Sequence, residues 1–241
     1  DIAVKRGAMD DALEMHRKSL EIQVSLRDAV GAARSYNNMG YIYRRRKDNR
    51  RALEVYGNVE DLLDAEDNPE LCDARIRLAS AFLEMGEMDR ARDHAMTAFE
   101  ETEEKKDIVH ARARAVLGRY YARAKENELA MRYYSGALDI LSDQTDPHSA
   151  VEVAMLLGQV LSDAGRKDEA AEHYIDALVL AEANDFRMLQ GELLARLGEV
   201  ESDRSQKMDY LQRSLSVFRE LGAVDRMREV QTSVHRAVMG H

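Results

Sequence analysis

Apolar residues recur at three- and four-residue steps through almost the whole chain, the signature of amphipathic helix. The helical stretches themselves recur. In "LLGQVLSDAGRKDEAAEHYIDAL", Leu156 to Leu178, one helix runs into a polar stretch at Gly165 and a second follows. Gly165 can end a helix. Gly158 lies inside an apolar-periodic segment, where glycine costs roughly 1 kcal/mol against alanine.

Aligning the chain on the alanine of "DEAAEHY" explains Gly158. Ala170 has counterparts at Ala12, Ala52, Ala91 and Ala130, about 39 to 40 residues apart, the period of a helical array. Twelve residues earlier stands a column of small residues: Gly40, Ala79, Gly118, Gly158 and, one step on, Gly198. Large apolar residues precede it (Met39, Leu78, Leu117, Leu157, Leu197), and Tyr43, Phe82, Tyr121 and Leu161 follow three residues later. Four after the alanine column stand Tyr56, Tyr134 and Tyr174, with His16 and Ala95 as exceptions. A third small column holds Ala98, Ala137 and Ala177, with Ser19 and Val59 as variants. Each repeat is therefore two helices joined by a short polar turn: "RKDNR", "EMGEMD", "AKENE", "AGRKD". Antiparallel helices approach closely where side chains are small. Gly158 is expected to face Ala170 there, with tyrosine and leucine filling the wider gaps.

Repeat boundaries keep the same beat. Asp28, Asn68, Asp107, Asp146 and Asp185 each precede a new apolar-periodic run. Asp and Asn are good N-caps because the side-chain oxygen accepts from free backbone N–H groups. The two prolines, Pro69 and Pro147, each follow such a cap, at the helical position where proline loses no hydrogen bond.

Composition narrows the function classes. The 241 residues carry a formal net charge of −10, which opposes bulk attraction to nucleic acid or anionic membrane. Cys72 is the lone cysteine, so no internal disulfide forms and a reducing, cytoplasmic setting is expected. No run of about 18 apolar residues predicts a transmembrane helix. Neither a His-x-x-x-His, nor a Cys/His cluster, nor a Gly-rich phosphate loop is present, so no metal, cofactor or enzyme activity is expected. His16, His94 and His173 fall on second helices as structural residues, and Cys72 is read as an inert core residue. The chain begins at Asp1 rather than methionine, and is read as an excised piece or processed product.

The large/small order in "NNMGYIYRRRKDNRRALEVY", "RLASAFLEMGEMDRARDHA", "AVLGRYYARAKENELAMRYYSGAL" and "LLGQVLSDAGRKDEAAEHYIDAL" resembles the tetratricopeptide repeat (TPR) family. The early tryptophan and the proline after the second helix are absent, and the period exceeds the common length of about 34. The longer form is similar to the repeats of kinesin light chains, Pins-type adaptors and MalT-type regulators. The resemblance implies an all-α, right-handed α-solenoid of antiparallel helix pairs. The expected layout is one array: a half repeat at 1–27, full repeats at 28–67, 68–106, 107–145, 146–184 and 185–222, and a C-terminal cap helix at about 225–239. We count this as eleven helices. The last repeat is about three residues short between its helices, with Glu201 where an aromatic is expected and Lys207 where alanine is expected.

The resemblance also implies that first helices line a concave face that binds a peptide or partner helix. Helical phase selects the residues on that face independently. On the helix from Ala29 the packed stripe is Tyr36, Met39, Gly40 and Tyr43, and the opposite stripe is Arg34, Asn37, Asn38, Tyr41, Arg44 and Arg45. The same phase gives Arg77, then Arg112, Arg119 and Arg123, and farther on Glu152, Gln159, Asp163, Glu192, Glu199 and Asp203, with Arg196 as an exception. A surface basic in its first half and acidic in its second is expected. Arginine bonds two carboxylate oxygens at once, and asparagine can pair with an extended backbone. These residues predict a scaffold that binds a protein or peptide, acidic or with a free C-terminal carboxylate. Two other readings stand beside it. The array can be the sensor part of a larger transcription regulator, kinase or ATPase. It can also self-associate through the half repeat, Met9 to Leu26.

Overall fold

The computed structural model describes residues 2–63, 68–143 and 146–239. Asp1, the last residues of the first and third full repeats (64–67 and 144–145) and residues 240–241 lie outside that description. The described residues form helices and no strands: α1 (Ile2–Ser25), α2 (Ala29–Arg45), α3 (Asn49–Leu62), α4 (Pro69–Met85), α5 (Met88–Thr102), α6 (Ile108–Arg123), α7 (Asn127–Asp143), α8 (Pro147–Asp163), α9 (Lys167–Ala183), α10 (Arg187–Val200), α11 (Arg204–Glu220) and α12 (Val224–Met239). The sequence-based count of eleven is one short, because a lone helix, five pairs and a cap make twelve. The chain divides into two compact units, Asp1–Tyr120 and Tyr121–His241.

In the first unit α2 packs on α3 and α4 on α5, and the first helices α2 and α4 also touch each other. In the second unit the pairs are α8 with α9 and α10 with α11, and α8 likewise touches α10. Each unit is thus two layers, one of first helices and one of second helices.

The turns are built alike. In eight of them one residue takes a left-handed conformation directly before the next helix cap: Arg27, Lys47, Gly86, Lys106, Lys125, Gly165, Asp185 and Gly222. Its N–H and the following N–H reach back to two carbonyls of the closing helix. In the α8–α9 turn, Gly165 donates to Ser162 O (2.9 Å) and Arg166 to Leu161 O (2.9 Å). This arrangement satisfies orphan carbonyls at the helix end. Asp28 accepts from Gly31 N, Asn68 from Glu70 N, and Asp146 from Ser149 N. Asp107 accepts from Val109 N and His110 N. Asp185 does not cap: it is the left-handed residue itself (φ 55°), and Phe186 sits at the cap position without a side-chain bond.

The small column makes room for rings. Gly158 lies beneath the ring of Tyr174. A Cβ on Gly158 would stand 2.4 Å from Tyr174 Cε1, and one on Gly40 would stand 2.3 Å from Tyr56 Cε1. The missing side chain makes room for a fully buried ring from the partner helix. In the last pair Leu211 replaces the ring, 2.7 Å from where a Gly198 Cβ would lie. Where the ring column shrinks to Ala95, the small column carries Ala79, and both are fully buried.

Candidate functional site

The sequence-selected residues of the first unit lie on α2, α4 and α6. Asn38, Tyr41 and Arg45 are exposed on α2. Tyr41 keeps 46% of its surface in solvent although it is a large aromatic, and the Arg77 guanidinium lies 5.7 Å from its ring centre. Such a stack holds both side chains in place.

The basic stripe is not bare, because α4 presents carboxylates to it. Arg34 Nε meets Glu70 Oε1 at 2.9 Å, and Arg44 Nε meets Glu84 Oε1 at 3.4 Å. Arg77 Nε meets Asp73 Oδ2 at 2.5 Å, and Arg112 reaches Asp73 Oδ1 at 3.6 Å. Burial opposes the charge on Arg77, but Asp73 and Tyr56 more than offset it and hold the guanidinium above its usual value. The hydrogen bond to Glu70 likewise raises exposed Arg34. Glu70, Asp73 and Glu84 were legible: they lie seven and four residues before Arg77 and seven after it, on its own helical stripe.

Asn37 departs from its expected role. It is only 2% exposed, and its Nδ2 donates to the backbone oxygen of Glu70 at 2.9 Å. Asn37 therefore ties α2 to α4 beneath the surface instead of standing on it. Arg119 is half-buried on α6, and Arg123, exposed at the end of that helix, falls in the second compact unit.

The acidic half is also partly occupied. Gln159 donates to Asp163 (2.8 Å), Arg226 pairs with Glu192 (2.9 Å), and Arg196 lies 4.0 Å from Glu199. Asp203 serves as the N-cap of α11, accepting from Gln206 N at 2.9 Å.

The cysteine is held unreactive. Cys72 is 2% exposed, and burial, with Glu101 adding, pushes its thiol up to about 11. A thiol so placed is a poor nucleophile. Among the described residues no group of three or more His, Cys, Asp or Glu is arranged to hold a metal. No described helix is long and apolar enough to cross a membrane.

Tetratricopeptide repeat models match residues 1–65 and residues 155–215. The chain belongs to the tetratricopeptide repeat family. Solved structures share the fold. One is a signal transduction ATPase with numerous domains carrying a tetratricopeptide repeat sensor, from Pyrococcus horikoshii (TM-score 0.73, 17% identity, 93% of this chain). This chain spans 38% of the length of that protein. A second is a Rap protein complexed with competence and sporulation factor (TM-score 0.71, 15% identity, 99% of this chain and 73% of that one). A third is a putative kinesin light chain from Podosopora anserina with nearly identical TPR-like repeats (TM-score 0.58, 14% identity, 84% of this chain and 96% of that one). No curated protein sequence matches the chain. Proteins of this family are generally non-catalytic scaffolds, and the fold fits a protein partner.

Proposed function

We propose that the chain is a non-enzymatic interaction scaffold whose α2/α4 surface in the first compact unit binds a segment of a partner protein. The observation that carries this reading is exposed Tyr41, stacked on Arg77 and flanked on its own helix by exposed Asn38 and Arg45. Aromatic and arginine side chains of this kind anchor interfaces. Arg45 has no ion-pair partner among the described residues. A carboxylate on the partner, from an acidic side chain or a free C-terminus, is the matching group. Arg34, Arg44, Arg77, Arg112 and Arg119 of the same unit shape the surrounding field. Asn37 contributes from beneath by holding Glu70, the partner of Arg34.

The test is selection from a displayed random-peptide library against the wild-type chain, followed by affinity measurement. Selected peptides are expected to be acidic, to bind more weakly as salt rises, and to lose at least roughly tenfold affinity against Arg45→Glu or Tyr41→Ala. Selected peptides free of carboxylates, bound equally by both variants, would remove the reading.

Two further readings have their own support. The likeness to an ATPase with a repeat sensor, of which this chain spans 38%, favours a sensor portion of a larger regulator. The α1 surface favours self-association: Met15, Ile22 and Leu26 are 60–72% exposed and follow one another at helical spacing.

A further inference from the structure

The second compact unit contains an open groove between the second helices α7 and α9, floored by α8. Its volume is about 640 Å³, within the usual range for small-molecule sites. Leu138 and Leu141 line it from α7, Ala150 and Ala154 from α8, and Ala177 and Leu180 from α9. At its rim stand His173 and exposed Asp176.

The repeat supplies internal controls for this groove. The floor position four residues before the small column is Arg75 in α4, Ala154 in α8 and Leu194 in α10. Over α4, Arg75 spans both walls: its guanidinium pairs with Glu60 of α3 (3.4 Å) and with Glu101 of α5. His94 Nδ1 adds a contact to Glu60 at 3.5 Å. Hydrogen bonding from His94, with Arg75 beside it, holds the Glu60 carboxyl below its usual range. That groove is plugged by an ion network. Over α10 the corresponding positions carry Leu178, Leu194 and Val217, which are 7%, 3% and 9% exposed, so buried hydrocarbon takes the place of the ion network there. In the groove over α8 the three network positions carry Leu138, Ala154 and Leu180, and only the histidine is kept, as His173. The plug is gone, and no side chain among the described residues replaces it.

The charge at the rim says what fits. Asp176 faces the groove, Glu172 is exposed one turn before it on α9, and Asp139 is exposed beside Leu138 on α7. Arg166, at the cap of α9, is engaged by Glu169 through two contacts of 2.6 Å. The lining residues of α9, from His173 to Leu180, span roughly 10 Å of helix. We propose that this groove binds a small cationic amphiphile, with an apolar chain or ring lying over Ala150 and Ala154 and its ammonium beside Asp176. Burying such a chain favours binding in proportion to the apolar surface removed from water, and the carboxylate supplies orientation. The site is independent of the α2/α4 surface and uses none of its residues.

Octyltrimethylammonium and octyl sulfate carry the same chain on opposite heads. Each is titrated into the full chain at concentrations that leave its circular dichroism unchanged, with heats and the backbone NMR signals of Ala150 and Ala154 as readouts. The ammonium is expected to saturate a single site and shift both signals, with the sulfate at least roughly tenfold weaker. Ala154→Leu, which copies the filled groove over α10, should keep the fold and cut ammonium affinity by at least about tenfold. Asp176→Lys should invert the preference between the two heads. Equal ammonium affinity for wild type and Ala154→Leu, or tighter binding of the sulfate by wild type, would overturn the assignment. So would heats without any shift at Ala150 and Ala154.

Discussion

At the residue scale the fold turns on matched sizes across each helix pair. Tyr174 is 1% exposed and sits where a Gly158 side chain would be. Burial pushes its phenol up to about 12. Gly158→Ala gains roughly 1 kcal/mol of helix propensity but forces a methyl against the ring, and overpacking of this kind costs about 1–3 kcal/mol. The variant should therefore unfold at lower urea concentration than wild type. In a Tyr174→Ala background the same change should cost less, because Ala79 and Ala95 already show a small–small combination at the equivalent positions. A double-mutant cycle with coupling below about 0.5 kcal/mol would contradict the size-matching account.

His110 makes a second residue-scale case. It is 1% exposed. Arg114 Nε donates to its Nε2 at 3.0 Å, so the neutral ring carries its proton on Nδ1 and donates to Thr102 Oγ1 at 3.0 Å. The Thr102 hydroxyl in turn donates to Ala98 O at 2.7 Å. A second ring proton would have to displace Arg114. Burial, reinforced by the Arg114 charge, accordingly lowers the His110 pKa. The unfolded chain then binds the proton more readily than the folded one, so this group's contribution is intact above its unfolded pKa of about 6.5 and declines as pH falls below it. Urea melts at pH 7.5 and 5.5 should show a loss at the lower pH that is smaller in His110→Gln. An identical loss in both proteins would assign the acid sensitivity elsewhere.

At the element scale the turns contain removable strain. A left-handed backbone costs an L-residue roughly 1–2 kcal/mol, and glycine escapes most of it. Gly86, Gly165 and Gly222 occupy that position, whereas Lys47 (φ 61°) and Lys125 (φ 64°) occupy it without that freedom. Lys47→Gly should raise stability by about 0.5–1 kcal/mol. An unchanged or lower melting midpoint would mean that the Lys47 side chain contributes more than its backbone costs.

The same scale shows how far the sequence could be read. Helix positions and pairings follow from periodicity, because the small, large and aromatic columns keep one phase over five repeats. Asp185 was misread because left-handed and N-cap positions are adjacent and both accept Asp; only the backbone angle separates them. Arg34, Arg44, Arg77 and Arg112 were read as a basic stripe because their positions were judged one helix at a time. For Arg34, Arg44 and Arg112 the partners Glu70, Glu84 and Asp73 come from the neighbouring first helix, a contact that depends on packing between repeats, whereas Arg77 meets Asp73 on its own helix, a spacing the sequence does show. The open groove over α8 was invisible for the same reason. Ala154 reads as an ordinary helix alanine until Leu138 and Leu180 are seen on either side of it.

At the scale of the whole molecule, the two terminal helices end in contrasting ways. α12 covers α11: Val230 is buried with Leu211 and Phe218, and Met227, Val234 and Ala237 pack against that cluster. α1 buries Leu13 but leaves Met15 and Ile22 exposed, as is Leu26 just past its end. Large apolar side chains left exposed at helical spacing offer a contact surface. The net charge of −10 opposes association of copies, so an assembly formed through α1 should tighten as salt screens that repulsion. This is the reverse of the salt response expected for an acidic peptide at Arg45. Light scattering over a dilution series at low and high salt therefore separates the two surfaces. Wild type should gain mass with concentration, more strongly at high salt, and Ile22→Glu with Leu26→Glu should remain monomeric throughout. Peptide binding at Arg45 should be untouched by that pair of changes. A wild-type mass that stays monomeric at every concentration and salt would show that α1 does not join copies of the chain.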